Sequence, residues 1–241
     1  MANLLVDIGN TAVKAAWADG MTLGRSFRYQ GEKSVDFILS LTAKEKPEVM
    51  VISSVYEISP SDGQRFKNEC TTLVILDSAH PSFLRENGLP DYITYDRAAS
   101  IMAARYLFKR RGCTVVDLGT TLTVDFTDSE GRYIGGNISL GCRTRIKALN
   151  RYSRALPRIN MPQEVETVGN TLESSMASGV VSGIVFELSG YFGLYPESII
   201  VFTGGDANYF AKRIKNSIFV VCNLVLIGLA QIADRYVKKN V

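Results

Sequence analysis

The pattern Asp-x-Gly-polar-Thr occurs twice in this 241-residue chain, as Asp7-Ile8-Gly9-Asn10-Thr11 and as Asp117-Leu118-Gly119-Thr120-Thr121. Each copy follows an apolar run, Leu4 to Ile8 and Thr114 to Leu118, and precedes another, Thr11 to Trp17 and Leu122 to Phe126. Continuous apolar runs of this length read as buried strands, and the glycine between them as the bend of a hairpin. One such turn means little, because Asp and Gly serve turns for backbone reasons alone. Two in register, each heading a half-chain, predict a duplicated core.

The rest of the chain alternates between strand and helix patterns. Helices are expected over Ser34 to Thr42, Ser61 to Cys70, Arg97 to Lys109, Arg145 to Leu149 or beyond, Gly169 to about Tyr191, and Ala207 to Lys215. Strands are expected over Val49 to Val55, Thr72 to Leu76, Tyr133 to Ile138 and Ser198 to Phe202, with a loop carrying Pro81, Gly88 and Pro90. The alternation predicts an α/β fold.

Composition narrows the function classes. With 46% hydrophobic residues the chain can bury a sizeable core, and a net charge of +3 is too weak for a nucleic-acid footprint. The one dense basic cluster, Lys109-Arg110-Arg111, closes a helical pattern, where cations suit the negative dipole end. Four cysteines without a Cys-x-x-Cys pair and a single histidine, His80, argue against zinc or a disulfide framework and for a reduced, cytoplasmic protein. His80 reads as structural; a Ser-His-Asp triad built on it has no supporting motif. The N-terminal residues lack a cationic signal-peptide region. Ile218 to Ile232 contains Asn223 and Gln231 and is too short to span a bilayer, so neither membrane nor nucleic acid is an expected partner.

Glycine lets backbone amides approach a ligand closely, and Asn and Thr add donors for phosphate oxygens. A strand-end Asp can hold a cation directly or through water. Two such turns can grip one triphosphate, whereas the P-loop and the Rossmann fingerprint are both absent from the sequence. Lys14 either reaches phosphate or is an ordinary solvated strand residue. Thr203-Gly204-Gly205-Asp206, between a strand and a helix, would alone read as a plain turn with Asp206 as N-cap; beside the two acidic turns it is expected to receive a flat nucleoside.

These elements, in this order, resemble the actin-like and sugar-kinase superfamily of ATP-binding proteins. More closely the chain resembles the type III pantothenate kinase family, through DIGNTAVK at 7–14, DRAASIMAARYLF at 96–108, DLGTTLTVD at 117–125, GGNISLG at 135–141, GNT at 169–171 and TGGD at 203–206. The resemblance implies a two-lobed actin-like (ribonuclease H-like) α/β ATPase fold with a duplicated core, its lobes covering 1–112 and 113–241. It implies phosphorylation of pantothenate by ATP, with another small-molecule kinase, such as a sugar kinase, or a nucleotide-binding interaction protein as alternatives.

Residue by residue, the resemblance implies ATP binding by Asp7, Ile8, Gly9, Asn10, Thr11, Ala12, Val13 and Lys14, with Thr120, Gly204 and Gly205. Asp96 would be the general base. Thr94, Tyr95, Asp96 and Arg97 would bind substrate, with Tyr92 and Thr171. Asp117 would hold a monovalent cation, K+ or NH4+, and Asp7 is the carboxylate expected beside Mg2+. A homodimer is implied, in which Thr171 completes the neighbouring subunit's pantothenate pocket; the small residues of Thr171 to Tyr191 would let two helices approach. Three departures stand out. Thr94 replaces the family glycine of Gly-x-Asp-Arg, the preceding loop 89–93 is short, and Leu140 replaces a proline.

Overall fold

The computed structural model describes residues 2–80 and 82–239, which fall into two compact units. The first takes the chain up to Leu107 together with the segment from Asn223 onward, and the second runs from Phe108 to Cys222. Pro81, in the expected loop, lies outside the described residues.

In the first unit, β1 (Asn3–Ile8), β2 (Val13–Asp19) and β3 (Thr22–Tyr29) form an antiparallel meander. After α1 (Ser34–Thr42), β4 (Val49–Ser54) joins parallel to β1. After α2 (Pro60–Lys67), β5 (Thr72–Leu76) joins parallel to β4. The order is β3-β2-β1-β4-β5. Two further helices come next, α3 (Ser82–Glu86) and α4 (Tyr95–Leu107).

The second unit repeats the plan. Here β6 (Cys113–Leu118), β7 (Thr121–Thr127) and β8 (Tyr133–Leu140) form the meander. After α5 (Cys142–Tyr152) and α6 (Leu172–Leu194), β9 (Ile199–Thr203) pairs parallel to β6. After α7 (Ala207–Ala211), β10 (Ile218–Val220) pairs parallel to β9. The order β8-β7-β6-β9-β10 matches the first sheet strand for strand, so the core is duplicated as expected. Helix α8 (Leu224–Lys239) ends the described chain.

Burial explains the strand sequences. Every residue of β1 and β4 is buried, because helices or neighbouring structure cover both faces, and such strands read as unbroken apolar runs. One face of the first sheet packs Leu4, Val6, Ile8, Met50 and Ile52 against Ile38 of α1 and Phe66 of α2. In the second unit Val116, Leu118, Val124 and Phe202 pack against Ile146 of α5, Ile184 and Leu188 of α6, and Phe210 of α7. Truncating fully buried Phe202 to alanine would cost about 3–5 kcal/mol. Helix α6 is long and apolar enough to cross a membrane by length and composition. Here one side of it, with Met176, Val180, Val181, Ile184, Leu188 and Phe192, is buried within the protein.

Several expectations are corrected. The division expected at residue 112 falls between Leu107 and Phe108, and α8 belongs to the first unit rather than to a 113–241 lobe. The cause is packing: a Cβ on Gly228 would lie 2.0 Å from the Ala99 carbonyl oxygen, so glycine lets α8 press directly on α4. Gln231 also donates to the Met102 carbonyl at 3.3 Å. Strand β3 and helix α3 lie where no element was expected. Helix α4 begins two residues early and ends at Leu107, so the basic cluster lies beyond it, with Arg110 in the left-handed region (φ 59°).

Candidate functional site

The two acidic turns occupy equivalent places, at the end of the central strand of each sheet. In the first, Asp7 is the penultimate residue of β1 and stands opposite Lys14 on β2. Directly opposed residues project from the same face, so the carboxylate and the ammonium stem share one side. Gly9, Asn10, Thr11 and Ala12 make the bend, closed by the Gly9 N–H donating to the Ala12 carbonyl at 3.1 Å. Asn10 and Thr11 are exposed at its tip, whereas Ile8 and Val13 are buried core residues beneath it. The Ile8 carbonyl accepts from Val55 N–H at 3.1 Å, which ties the bend to the end of β4.

The second turn is one residue shorter and stands in tighter surroundings. Asp117 on β6 faces Thr123 on β7, with no lysine opposite. Gly119 N–H donates to the Thr121 carbonyl at 3.0 Å, and exposed Thr120 forms the tip. Two segments close on it. The Thr120 carbonyl accepts from Gly141 N–H at 3.0 Å and from the Thr144 hydroxyl at 2.7 Å, joining it to the start of α5. The Leu118 carbonyl accepts from Asp206 N–H at 3.0 Å, joining it to the segment after β9.

Glycine is obligatory at both junctions. A Cβ on Gly141 would sit 2.0 Å from the Gly119 carbonyl oxygen. One on Gly204, whose φ is +91°, would sit 2.4 Å from Asp117 Oδ1 and 2.6 Å from the Leu118 oxygen. Gly205 by contrast is exposed with open space above it. The expected second-unit residues Asp117, Thr120, Gly204 and Gly205 are thus brought together. Gly141 was legible only as the end of the GGNISLG segment, without a role in the site, and Arg143 and Thr144 were not expected there.

Asp206 is buried and precedes α7 at the N-cap position, but its side chain makes no capping bond to that helix. Burial raises its pKa above the ordinary carboxylate value, and the charge and hydrogen bond of Arg143, 3.5 Å away, pull the other way. Burial, then the nearby Asp206 charge, pushes the Cys142 thiol up to about 11 against three arginines, so it stays a neutral thiol rather than a nucleophile.

The residues expected to meet substrate cluster at the start of α4. Ala98 N–H donates to the Thr94 carbonyl at 2.9 Å, which makes exposed Thr94 the residue from which the helix springs. Asp96 lies inside the first turn rather than at the cap. It is half-buried, and its Oδ1 accepts the Arg97 N–H at 2.9 Å. Arg97 is only 5% exposed. Tyr92 is 66% exposed. Tyr95 instead turns inward: it is 6% exposed, and its hydroxyl donates to the His80 carbonyl at 2.7 Å. Burial raises its pKa, so the hydroxyl stays protonated as that donor.

Thr171 is the exposed N-cap of α6. Its hydroxyl accepts from Ser174 N–H at 3.1 Å, while the Ser174 hydroxyl accepts from Thr171 N–H at 2.9 Å, a complete capping box. Among the described residues no cluster of three or more His, Cys, Asp or Glu side chains could hold a metal ion by itself.

Two sheets of one topology, each with an acidic turn at the end of its central strand, define an actin-like ATPase fold. A Campylobacter jejuni structure of the Baf family, named as a transcriptional activator, aligns over 98% of this chain and 99% of its own, with TM-score 0.67 and 21% identity. The activator of 2-hydroxyisocaproyl-CoA dehydratase from Clostridium difficile, solved with ADPNP, aligns over 100% of this chain and 97% of its own, with TM-score 0.62 and 14% identity. Within that class the chain belongs to the type III pantothenate kinase family, whose model matches residues 3–193. A Phocaeicola vulgatus relative named type III pantothenate kinase is 36% identical over 237 residues, covering 95% of this chain and 97% of the relative.

Proposed function

We propose that this chain transfers the γ-phosphoryl group of ATP to the primary hydroxyl of pantothenate, with Asp96 as general base. The observation that carries the reading is the pair of acidic turns ending β1 and β6, in a chain whose relatives are named for that activity. Asp96 takes the hydroxyl proton as the oxygen attacks the γ-phosphorus. The bond from that phosphorus to the bridging oxygen breaks, and ADP leaves. Arg97, adjacent in the same helical turn, is assigned to the substrate carboxylate, for which a guanidinium is well shaped. Thr94 and Tyr92 stand exposed beside them as further substrate contacts.

The turns divide the handling of phosphate charge. Lys14 supplies a fixed cation beside the first. Beside the second, where Thr123 rather than a lysine stands opposite, Asp117 is the carboxylate assigned to K+ or NH4+. Asp7 is a single carboxylate, the minimum protein share for Mg2+, which keeps much of its hydration and also binds phosphates. When bound, Mg2+ offsets charge on the β and γ oxygens.

A homodimer with Thr171 donated to the partner's pantothenate pocket fits the outward side of α6. There Ser175, Gly179, Phe186, Ser189, Gly190 and Gly193 are exposed at helical spacing, with Phe186 68% exposed. Four free cysteines accord with a reduced, cytoplasmic setting.

Purified protein supplied with ATP, Mg2+, K+ and either pantothenate or a panel of sugars tests the reading. ADP release that depends on pantothenate is expected. Turnover of a sugar instead, or nucleotide binding with no acceptor turned over, would overturn it.

A further inference from the structure

The single histidine stands in a network that ends one residue from Asp96. Asp77, directly after β5, is 1% exposed, and both its oxygens are engaged. Oδ1 accepts from Ala79 N–H at 3.1 Å and from His80 Nδ1 at 2.8 Å, and Oδ2 accepts from Ile58 N–H at 3.0 Å. Burial alone would raise the Asp77 pKa, but the hydrogen bonds from Ile58, His80 and Ala79 and the His80 charge together hold it below the ordinary value. The carboxylate is therefore ionised at neutral pH and accepts only, so His80 carries its proton on Nδ1.

This carboxylate ties the loop after β4 to the loop after β5 and fixes where the His80 backbone lies. The His80 carbonyl in turn receives the Tyr95 hydroxyl at 2.7 Å. Tyr95 opens α4, its ring packing on Phe83 at 6.3 Å between centroids. Asp96 and Arg97 are the next two residues. A helix has free N–H groups and few constraints in its first turn, so a buried tyrosine anchored there sets the position of its two neighbours.

We propose that Asp77, His80 and Tyr95 are positioning residues for the phosphoryl transfer: the Asp77–His80 pair fixes the carbonyl that anchors Tyr95, and Tyr95 seats Asp96 against the substrate hydroxyl. His80 acts through its Nδ1 hydrogen bond to Asp77. The inference rests on Asp96 being the base, and its own test is separable from that assignment.

Steady-state kinetics on four variants read it out. Tyr95→Phe keeps the ring and loses only the anchoring hydroxyl; kcat should fall about tenfold while KM for ATP stays unchanged, because misplacing a reacting group costs rate rather than donor binding. His80→Ala should lower kcat by a similar factor. His80→Asn places an amide N–H where Nδ1 was and should restore kcat to within about twofold of wild type. Asp96→Asn, measured in parallel, reports on the base alone: loss of turnover upholds that reading, and retained turnover overturns it and the positioning role with it. If Asp96→Asn abolishes turnover but Tyr95→Phe stays within twofold of wild type, the base stands and the positioning role fails. It fails equally if His80→Asn is as impaired as His80→Ala, or if the losses appear as weaker ATP binding at unchanged kcat.

Discussion

The β1–β2 and β6–β7 turns are copies of one design that have diverged in what surrounds them. Both end a central strand, and in both the carbonyl after the Asp accepts an N–H from the segment that follows a parallel strand, Val55 after β4 for Ile8 and Asp206 after β9 for Leu118. The first turn is flanked by side chains, with Lys14 across from Asp7 and buried Ser53 and Ser54 on β4. The second is flanked by bare backbone, with Gly204 and Gly141 pressed so close that a methyl group fits at neither. A duplicated scaffold thus sets a lysine opposite the aspartate at one turn and packs bare backbone against it at the other. The topology was kept, while the electrostatics were divided.

The largest effect is expected at the second turn. Gly204→Ala forces a side chain into the left-handed region, which costs about 1–3 kcal/mol, and drives its Cβ into the Asp117 carboxylate. Thermal unfolding should show that loss, and turnover should fall at least about a hundredfold, in line with a misplaced phosphate ligand. Unchanged kinetics would show that the glycine serves the fold alone.

Next, Lys14→Met should lower kcat/KM for ATP roughly tenfold to a hundredfold, the scale of a lost charged hydrogen bond. The converse change sharpens the comparison. Thr123→Lys puts a lysine opposite Asp117, as Lys14 stands opposite Asp7, and should weaken the dependence on potassium. A Thr123→Lys enzyme that folds and keeps the full wild-type potassium dependence would remove the parallel between the turns.

A smaller effect is expected from Thr144→Val, which deletes the 2.7 Å bond to the Thr120 carbonyl. It should cost about 1 kcal/mol and raise KM for ATP a few-fold while leaving kcat intact. The smallest is a pH effect at Asp206, whose folded pKa is raised chiefly by burial. The folded protein then holds that proton more tightly than the unfolded chain. Its contribution to stability is fully present below the unfolded value, ordinarily about 3.9, and is lost as pH rises through the folded one. Asp206→Asn should therefore raise the melting temperature slightly at neutral pH and lose that advantage in acid; equal shifts at both would refute the burial account.

How much of this was legible in the sequence depended on whether the cause was local. The two turns could be read because Asp, Gly and Thr recur next to unbroken apolar strands, and those strands are buried throughout as such runs require. Strand β3 could not, because TLGRSFRY is an edge strand with mostly exposed residues and offers no apolar run. The allegiance of α8 was hidden for a different reason. Its apolar side says that it must be buried, while the partner is decided by Gly228 meeting Ala99, a contact across more than half the chain. The roles of Arg143 and Gly141 were hidden likewise, since they depend on β8 returning α5 to the Thr120 turn. Tyr95 was expected to meet substrate, and its burial against His80 is a tertiary fact that the Thr-Tyr-Asp-Arg spacing does not carry.

The most direct measurement is the initial rate of pantothenate-dependent ADP release, taken at saturating ATP and Mg2+ in potassium and again in sodium at equal ionic strength. If Asp117 holds a monovalent cation that offsets phosphate charge, the rate is high in potassium, collapses in sodium, and vanishes without pantothenate. Equal rates in the two salts, or ADP release indifferent to pantothenate, would contradict the account.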